Sequence, residues 1–234
     1  MTFADKILKF NNELSYKGKL PKGISIMNPF QGEQIKSITR QFYKKYYDDD
    51  KIRYAILGIN PGRHGAGVTG LPFTDTKRLF EHCGISTTDM HTHEPSSVFV
   101  YEVIKAYGGV KKFYDRFYIN SVCPLGFTFK NATGREVNYN YYDNDKLYNS
   151  VYDFIAESIT KQIKFGISTD VCFCMGANKN FNYLSEINDN EKFFKKIIPL
   201  EHPRFIVQYR LKKMGEYVDK YLAQLRGSKT TTAI

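Results

Sequence analysis

The chain has 234 residues, 42% of them hydrophobic and 25% charged, enough to fill one core and too few for several large domains. Its 34 Lys and Arg against 24 Asp and Glu leave a net charge of +10, which favours a polyanionic partner, nucleic acid first, and argues against an acidic, histone-gathering surface. No run approaches the roughly 18 apolar residues of a membrane span. Met1-Thr2-Phe3-Ala4-Asp5-Lys6 opens no apolar signal core, so a cytoplasmic protein is expected, or a nuclear one in a eukaryote, and a secreted one is not.

Residues 2–14 carry Phe3, Ile7, Leu8 and Phe10 at near-helical spacing and predict an amphipathic helix. Gly and Pro between 17 and 30 predict a loop that packs back on the body, after which helix resumes over 35–47 with its lysines in water. The run Arg53-Tyr54-Ala55-Ile56-Leu57-Gly58-Ile59 reads as a buried strand that delivers Asn60-Pro61-Gly62 to the carboxyl edge of a sheet. Residues 117–120, 170–176 and 196–202 repeat that grammar, with Pro199 marking the last as an edge strand. Helical patterns occupy 97–107, 146–165, 177–187 and 210–225, and 127–142 reads as a hairpin or surface excursion. Alternating strand and helix predicts a three-layer α/β/α domain over 1–226, with a central four-stranded, mostly parallel sheet and a frayed tail at 227–234. In such a sheet ligands bind beyond the carboxyl ends of the strands, where Asn60, Asn120 and His202 are expected to converge.

Five glycines lie between Gly58 and Phe73, the composition of a shaped loop around a ligand. Gly62 to Thr69 nearly spells a phosphate-binding P-loop, but Val68 stands where the phosphate-neutralising lysine is required. His91-Thr92-His93-Glu94 lacks a distant partner ligand at metal-site spacing. The four cysteines contain no C-x-x-C pair, so neither a metal nor an iron–sulfur cluster is expected.

The pattern G-x-N-P-G-x-x-G-x-x-x-T-G-x-P-F at 58–73 resembles the first motif of the single-strand-selective monofunctional uracil-DNA glycosylases. Tyr118-Ile119-Asn120-Ser121-Val122-Cys123-Pro124-Leu125 resembles that family's strand-end segment, and His202-Pro203 the start of its second catalytic motif. Gly58-Ile59-Asn60-Pro61-Gly62 is also similar to the mismatch-specific thymine/uracil glycosylases, but Phe73 and His202 favour the single-strand-selective branch. The resemblance spans about residues 52–225. It implies a uracil-DNA glycosylase fold and a monomer that flips uracil or a 5-modified uracil, such as 5-hydroxymethyluracil, out of DNA and excises it by hydrolysis in base excision repair. No metal or organic cofactor is implied.

The chemistry asks for compatible residues. Breaking an N-glycosidic bond builds positive charge on the sugar and negative charge on the departing base, so the site needs an orienter for water and a donor for the base oxygen. Asn60 suits the first role, because orientation outweighs proton abstraction once the bond is nearly broken. His202 suits the second. Asn120 is expected to read the Watson–Crick edge of uracil through its amide, and Phe73 to stack on the base. The resemblance implies that Gly62 lines the pocket beside the pyrimidine C5, leaving room for a 5-substituent, and Ile59 is expected among the base-binding residues. The chain departs from the family at Arg63-His64 and in ending its second motif as His202-Pro203-Arg204-Phe205. DNA contact therefore falls to Arg63, His64, Arg204, Phe205, Gln208 and Arg210, with Ile206 a further wedge candidate. Two other readings compete: a glycosylase for another lesion, such as a deaminated purine or mismatched thymine, and a nucleic-acid-binding module without catalysis.

Overall fold

The computed structural model describes residues 1–87 and 90–227. In chain order, α1 (Phe3–Glu13), β1 (Ile24–Met27) and α2 (Glu33–Tyr46) lead into β2 (Arg53–Gly58). The helices α3 (Ala66–Thr69), α4 (Thr76–Cys83), α5 (Pro95–Tyr107) and α6 (Val110–Arg116) precede β3 (Phe117–Ser121). A hairpin of β4 (Gly126–Lys130) and β5 (Glu136–Tyr139) follows, then α7 (Asp145–Ile163), β6 (Ile167–Met175), α8 (Lys179–Glu191), β7 (Lys196–Leu200), α9 (Pro203–Tyr209) and α10 (Met214–Gly227).

The strands β2, β3, β6 and β7 form a parallel sheet in the order β3-β2-β6-β7, so Pro199 does lie on an edge strand. Side chains alternate across it. Tyr118 meets Phe3 and Tyr47, and Asn120 meets Gln162, which puts α1, α2 and α7 on one face; α8 joins them through Tyr183 against Tyr148. Phe117 meets Tyr107 and Phe113 on the opposite side, and Phe99 of α5 meets Tyr221 of α10. The result is the expected three-layer α/β/α arrangement.

Helix ends follow local chemistry. Thr2 and Asp5 close a capping box at the start of α1, and Asn144 accepts from the Leu147 N–H at the start of α7. The expected loop at 17–30 contains β1, which pairs antiparallel with β4 in a second, three-stranded sheet of order β1-β4-β5. A four-residue strand is too short to display alternation in sequence. The excursion at 127–142 is largely the β4–β5 hairpin. The last helical pattern, expected over 210–225, is α10, and before it stands α9, a helix absent from the expected pattern, which His202 caps and Pro203 starts. Gly227 ends α10, and the rest of the expected tail lies outside the described residues.

Among the described residues no helix is long and apolar enough to cross a membrane, and no group of three or more His, Cys, Asp or Glu is placed to hold a metal ion.

Candidate active site

A cavity of about 720 Å³ opens at the carboxyl end of the parallel sheet, lined by residues of the glycine loop, the α5 start, the β3 end, the β5 hairpin and α9. Ile59, Asn60, Gly62, His64, Phe73 and His202 all reach it.

Asn60 follows β2, and the hairpin fixes its side chain. Its Nδ2 donates to the carbonyl oxygens of Tyr139 (3.2 Å) and Pro61 (3.4 Å), and its Oδ1 accepts from the Tyr141 N–H at 3.1 Å. Those partners settle which end of the amide is which. Both N–H donors are engaged, so the hydrogen-bonding capacity left is a second lone pair on Oδ1, an acceptor able to orient a water.

His202 ends the β7 connection and caps α9, its Nδ1 accepting from the Arg204 N–H at 3.2 Å. In a neutral ring this leaves the proton on Nε2. Burial, reinforced by the nearby Arg204 charge, lowers the pKa of His202 to about 4. At neutral pH the ring is therefore an uncharged donor.

The Phe73 ring lies 6.1 Å from that of His202, at an interplanar angle of 60°. Its backbone holds φ at 54°, a strained conformation for a non-glycine residue. The ring is seated because β2 ends in glycine: a Cβ on Gly58 would lie 2.9 Å from Phe73 Cζ. Gly62 opens onto Asn138, whose Oδ1 accepts from the Arg63 N–H at 3.0 Å.

Asn120 does not reach the cavity with its amide. It shares a sheet face with Tyr118, two residues earlier, and points beneath α7, where Nδ2 donates to Tyr118 Oη (2.8 Å) and Gln162 Oε1 (2.6 Å) and Oδ1 accepts from the Ser121 N–H. The residue that lines the cavity from this strand is Ser121, one position on and so on the other phase of the pleat. Asn138 of β5 and Asn140, just after it, line it as well. Sequence reading passed over both asparagines, since nothing local says that a hairpin folds back over a strand end.

Arg204, Phe205 and Gln208 line the mouth, together with Tyr209, which sequence reading missed. Arg210 is not among the lining residues; its guanidinium sits 5.2 Å from the Phe205 ring centre. Arg63 engages the site through its backbone, and its side chain does not line the cavity. Ile206 is fully buried, which removes it as a wedge; Tyr209 (60% exposed) and Leu211 (58%) are the exposed apolar side chains there. Glu94 also lines the cavity, with its Oε2 buried and without a hydrogen-bond partner.

The family model for the uracil DNA glycosylase superfamily matches residues 44–226. Among solved structures, the crystal structure of wild-type Pedobacter heparinus SMUG2 is similar to this chain at 55% sequence identity and a TM-score of 0.94, over 97% of this chain and 98% of that one. No curated protein matches the chain. With a motif-bearing loop and a histidine-capped helix facing each other over the carboxyl edge of a parallel sheet, and a family match over most of its length, the chain belongs to the uracil DNA glycosylase superfamily and is a DNA glycosylase, a hydrolase of N-glycosyl bonds that serves base excision repair.

Proposed function

We propose that this enzyme flips uracil, or a uracil carrying a small 5-substituent such as hydroxymethyl, out of DNA and hydrolyses its glycosidic bond. The observation that carries the reading is the paired geometry of Asn60 and His202 on one cavity, the first presenting an acceptor with both N–H groups engaged and the second a neutral Nε2–H. Asn60 orients the water that attacks the sugar as the bond breaks. His202 donates to the pyrimidine oxygen that gains negative charge, a contact type worth roughly 3 to 4 kcal/mol. Phe73 supplies the stacking face, and the space at Gly62 accommodates the 5-substituent. Reading of the base edge passes from Asn120 to the polar side chains that line the cavity, Ser121, Asn138 and Asn140. Arg204, Gln208, His64 and the aromatic pair Phe205 and Tyr209 meet the DNA around the mouth. The protein works as a monomer without a cofactor, and water is the only nucleophile.

The test is alkaline cleavage of labelled single- and double-stranded oligonucleotides carrying one uracil or one 5-hydroxymethyluracil. Strand breakage by the wild type, reduced about 100- to 1000-fold in N60A and in H202A, is the expected result. Intact pyrimidine strands beside cleavage at a deaminated purine or mismatched thymine would transfer the assignment to that lesion. DNA binding without release of any base would leave a binding module.

A further inference from the structure

Glu94 is a half-buried titratable group of the cavity, with Oε2 covered, that the hydrolysis described above leaves unused. It immediately precedes α5, where its N–H donates to Asp75 Oδ2 at 3.1 Å while its side chain makes no capping hydrogen bond to the helix. The carboxyl group is fitted against the glycine loop so closely that a Cβ on Gly65 would lie 2.5 Å from both Cδ and Oε2. Oε2 is buried and unpartnered, although Glu94, Gly65 and Arg204 all line the cavity that must admit a polyanion.

Every charged group around it belongs in the balance. Burial is the largest influence and the negative charge of Asp75 the next, together raising the Glu94 pKa to about 8 against the opposing pull of Arg204 from α9. Asp75 is itself engaged by Arg78 of α4 at 3.2 Å, and His93 Nδ1 stands 3.9 Å from the same oxygen. His64 and His202 share the cavity.

We propose that Glu94 binds the substrate as a neutral acid, donating its O–H to a phosphate oxygen of the nucleotide held in the cavity, so that DNA engagement at this site is linked to a proton. This rests on the DNA-glycosylase reading of the cavity. A phosphate offers acceptors only, which the protonated carboxyl matches and the carboxylate repels. The bound phosphate favours the neutral form further. Above the titration of the free enzyme, binding therefore requires uptake of one proton, and affinity falls by up to about tenfold per pH unit.

The experiment measures binding of an oligonucleotide carrying a tetrahydrofuran abasic analogue, which has no titrating base, from about pH 6.5 to about pH 9.5 for wild type, E94Q and E94A. Wild-type affinity is expected to hold up to about pH 8 and then to fall. E94Q, a permanently neutral donor of the same shape, is expected to bind with no such fall. E94A, lacking the donor, is expected to bind about tenfold more weakly than wild type at neutral pH, again without the fall. A flat wild-type profile, or an alkaline fall undiminished in E94Q, overturns the proposal. Uracil release by the wild type at neutral pH tests the substrate reading separately: absence of release beside a fall that vanishes in E94Q would sink that reading and uphold Glu94.

Discussion

The side chains of Asn60 and His202 are polarised before any substrate arrives, since each has its other hydrogen-bonding atom committed to backbone. A ring whose pKa is lowered to about 4 stays neutral through the mildly acidic and neutral range. The rate of base release should therefore show no limb from His202 between about pH 5.5 and about pH 7.5, against the ordinary histidine titration near 6.5, and a single-turnover pH–rate profile checks this. The same shift has a stability consequence. Below the ordinary value the unfolded chain binds a proton that the folded ring refuses, so stability is lost as pH falls from the unfolded pKa toward about 4. Asn60 and His202 were legible as candidates because motif context singled them out, and the fold sets both on one cavity. Asn120 was legible as a strand-end amide, but its direction was not: a shift of one residue in the pleat exchanges the cavity for the underside of α7.

Elements deliver these groups through close approach. The end of β2 has no side chain at Gly58, and the Phe73 ring occupies that space under a backbone φ of 54°. In G58A the added methyl would lie 2.9 Å from Phe73 Cζ, so the ring must leave its place 6.1 Å from that of His202. Activity is expected to drop by about tenfold or more, in keeping with a base-stacking contact of ~1 to 3 kcal/mol. Thermal unfolding run beside uracil release checks whether the stacking face or the whole fold has been lost. The β4–β5 hairpin is the second such element. Through Asn138 and Tyr139, and Tyr141 just beyond it, it fixes both Asn60 and the Arg63 backbone, although its own segment reads as a surface excursion. Its role comes from pairing at long sequence separation, which local pattern does not encode.

At the scale of the whole molecule, the +10 charge is a statement about association with a polyanion. For duplex DNA the logarithm of the binding constant should fall with the logarithm of salt concentration by about 0.9 per phosphate neutralised. R204A, which removes a cation at the cavity mouth, is expected to reduce that slope by about 1, measured by fluorescence anisotropy across a salt series. Stability has a different centre. The fully buried Arg53 donates to both Asp49 oxygens at 2.7 and 2.9 Å and lies under the Phe3 and Tyr47 rings, joining α1 and α2 to the sheet. R53A is expected to cost roughly 2 to 5 kcal/mol in denaturant unfolding, chiefly because it empties the fully buried site between the rings, while Asp49 keeps access to water. The Asp49 pKa is lowered chiefly by its hydrogen bond to Arg53, so the pair contributes above the ordinary carboxylate range and its contribution is lost as pH falls through the lowered value.

Sequence alone determined the alternation of strand and helix, the parallel sheet with Pro199 at its edge, the glycine loop and the choice of Asn60 and His202 as candidates that the fold brings to one cavity, because periodicity, turn chemistry and motif spacing are local properties of a chain. Tertiary structure decided the rest. Which face Asn120 presents depends on the phase of a pleat, and which neutral tautomer His202 adopts depends on a backbone N–H two residues on. The placing of Ser121, Asn138, Asn140 and Glu94 around one cavity depends on contacts between segments far apart in sequence, and only packing determines whether a carboxyl group buried there keeps its proton.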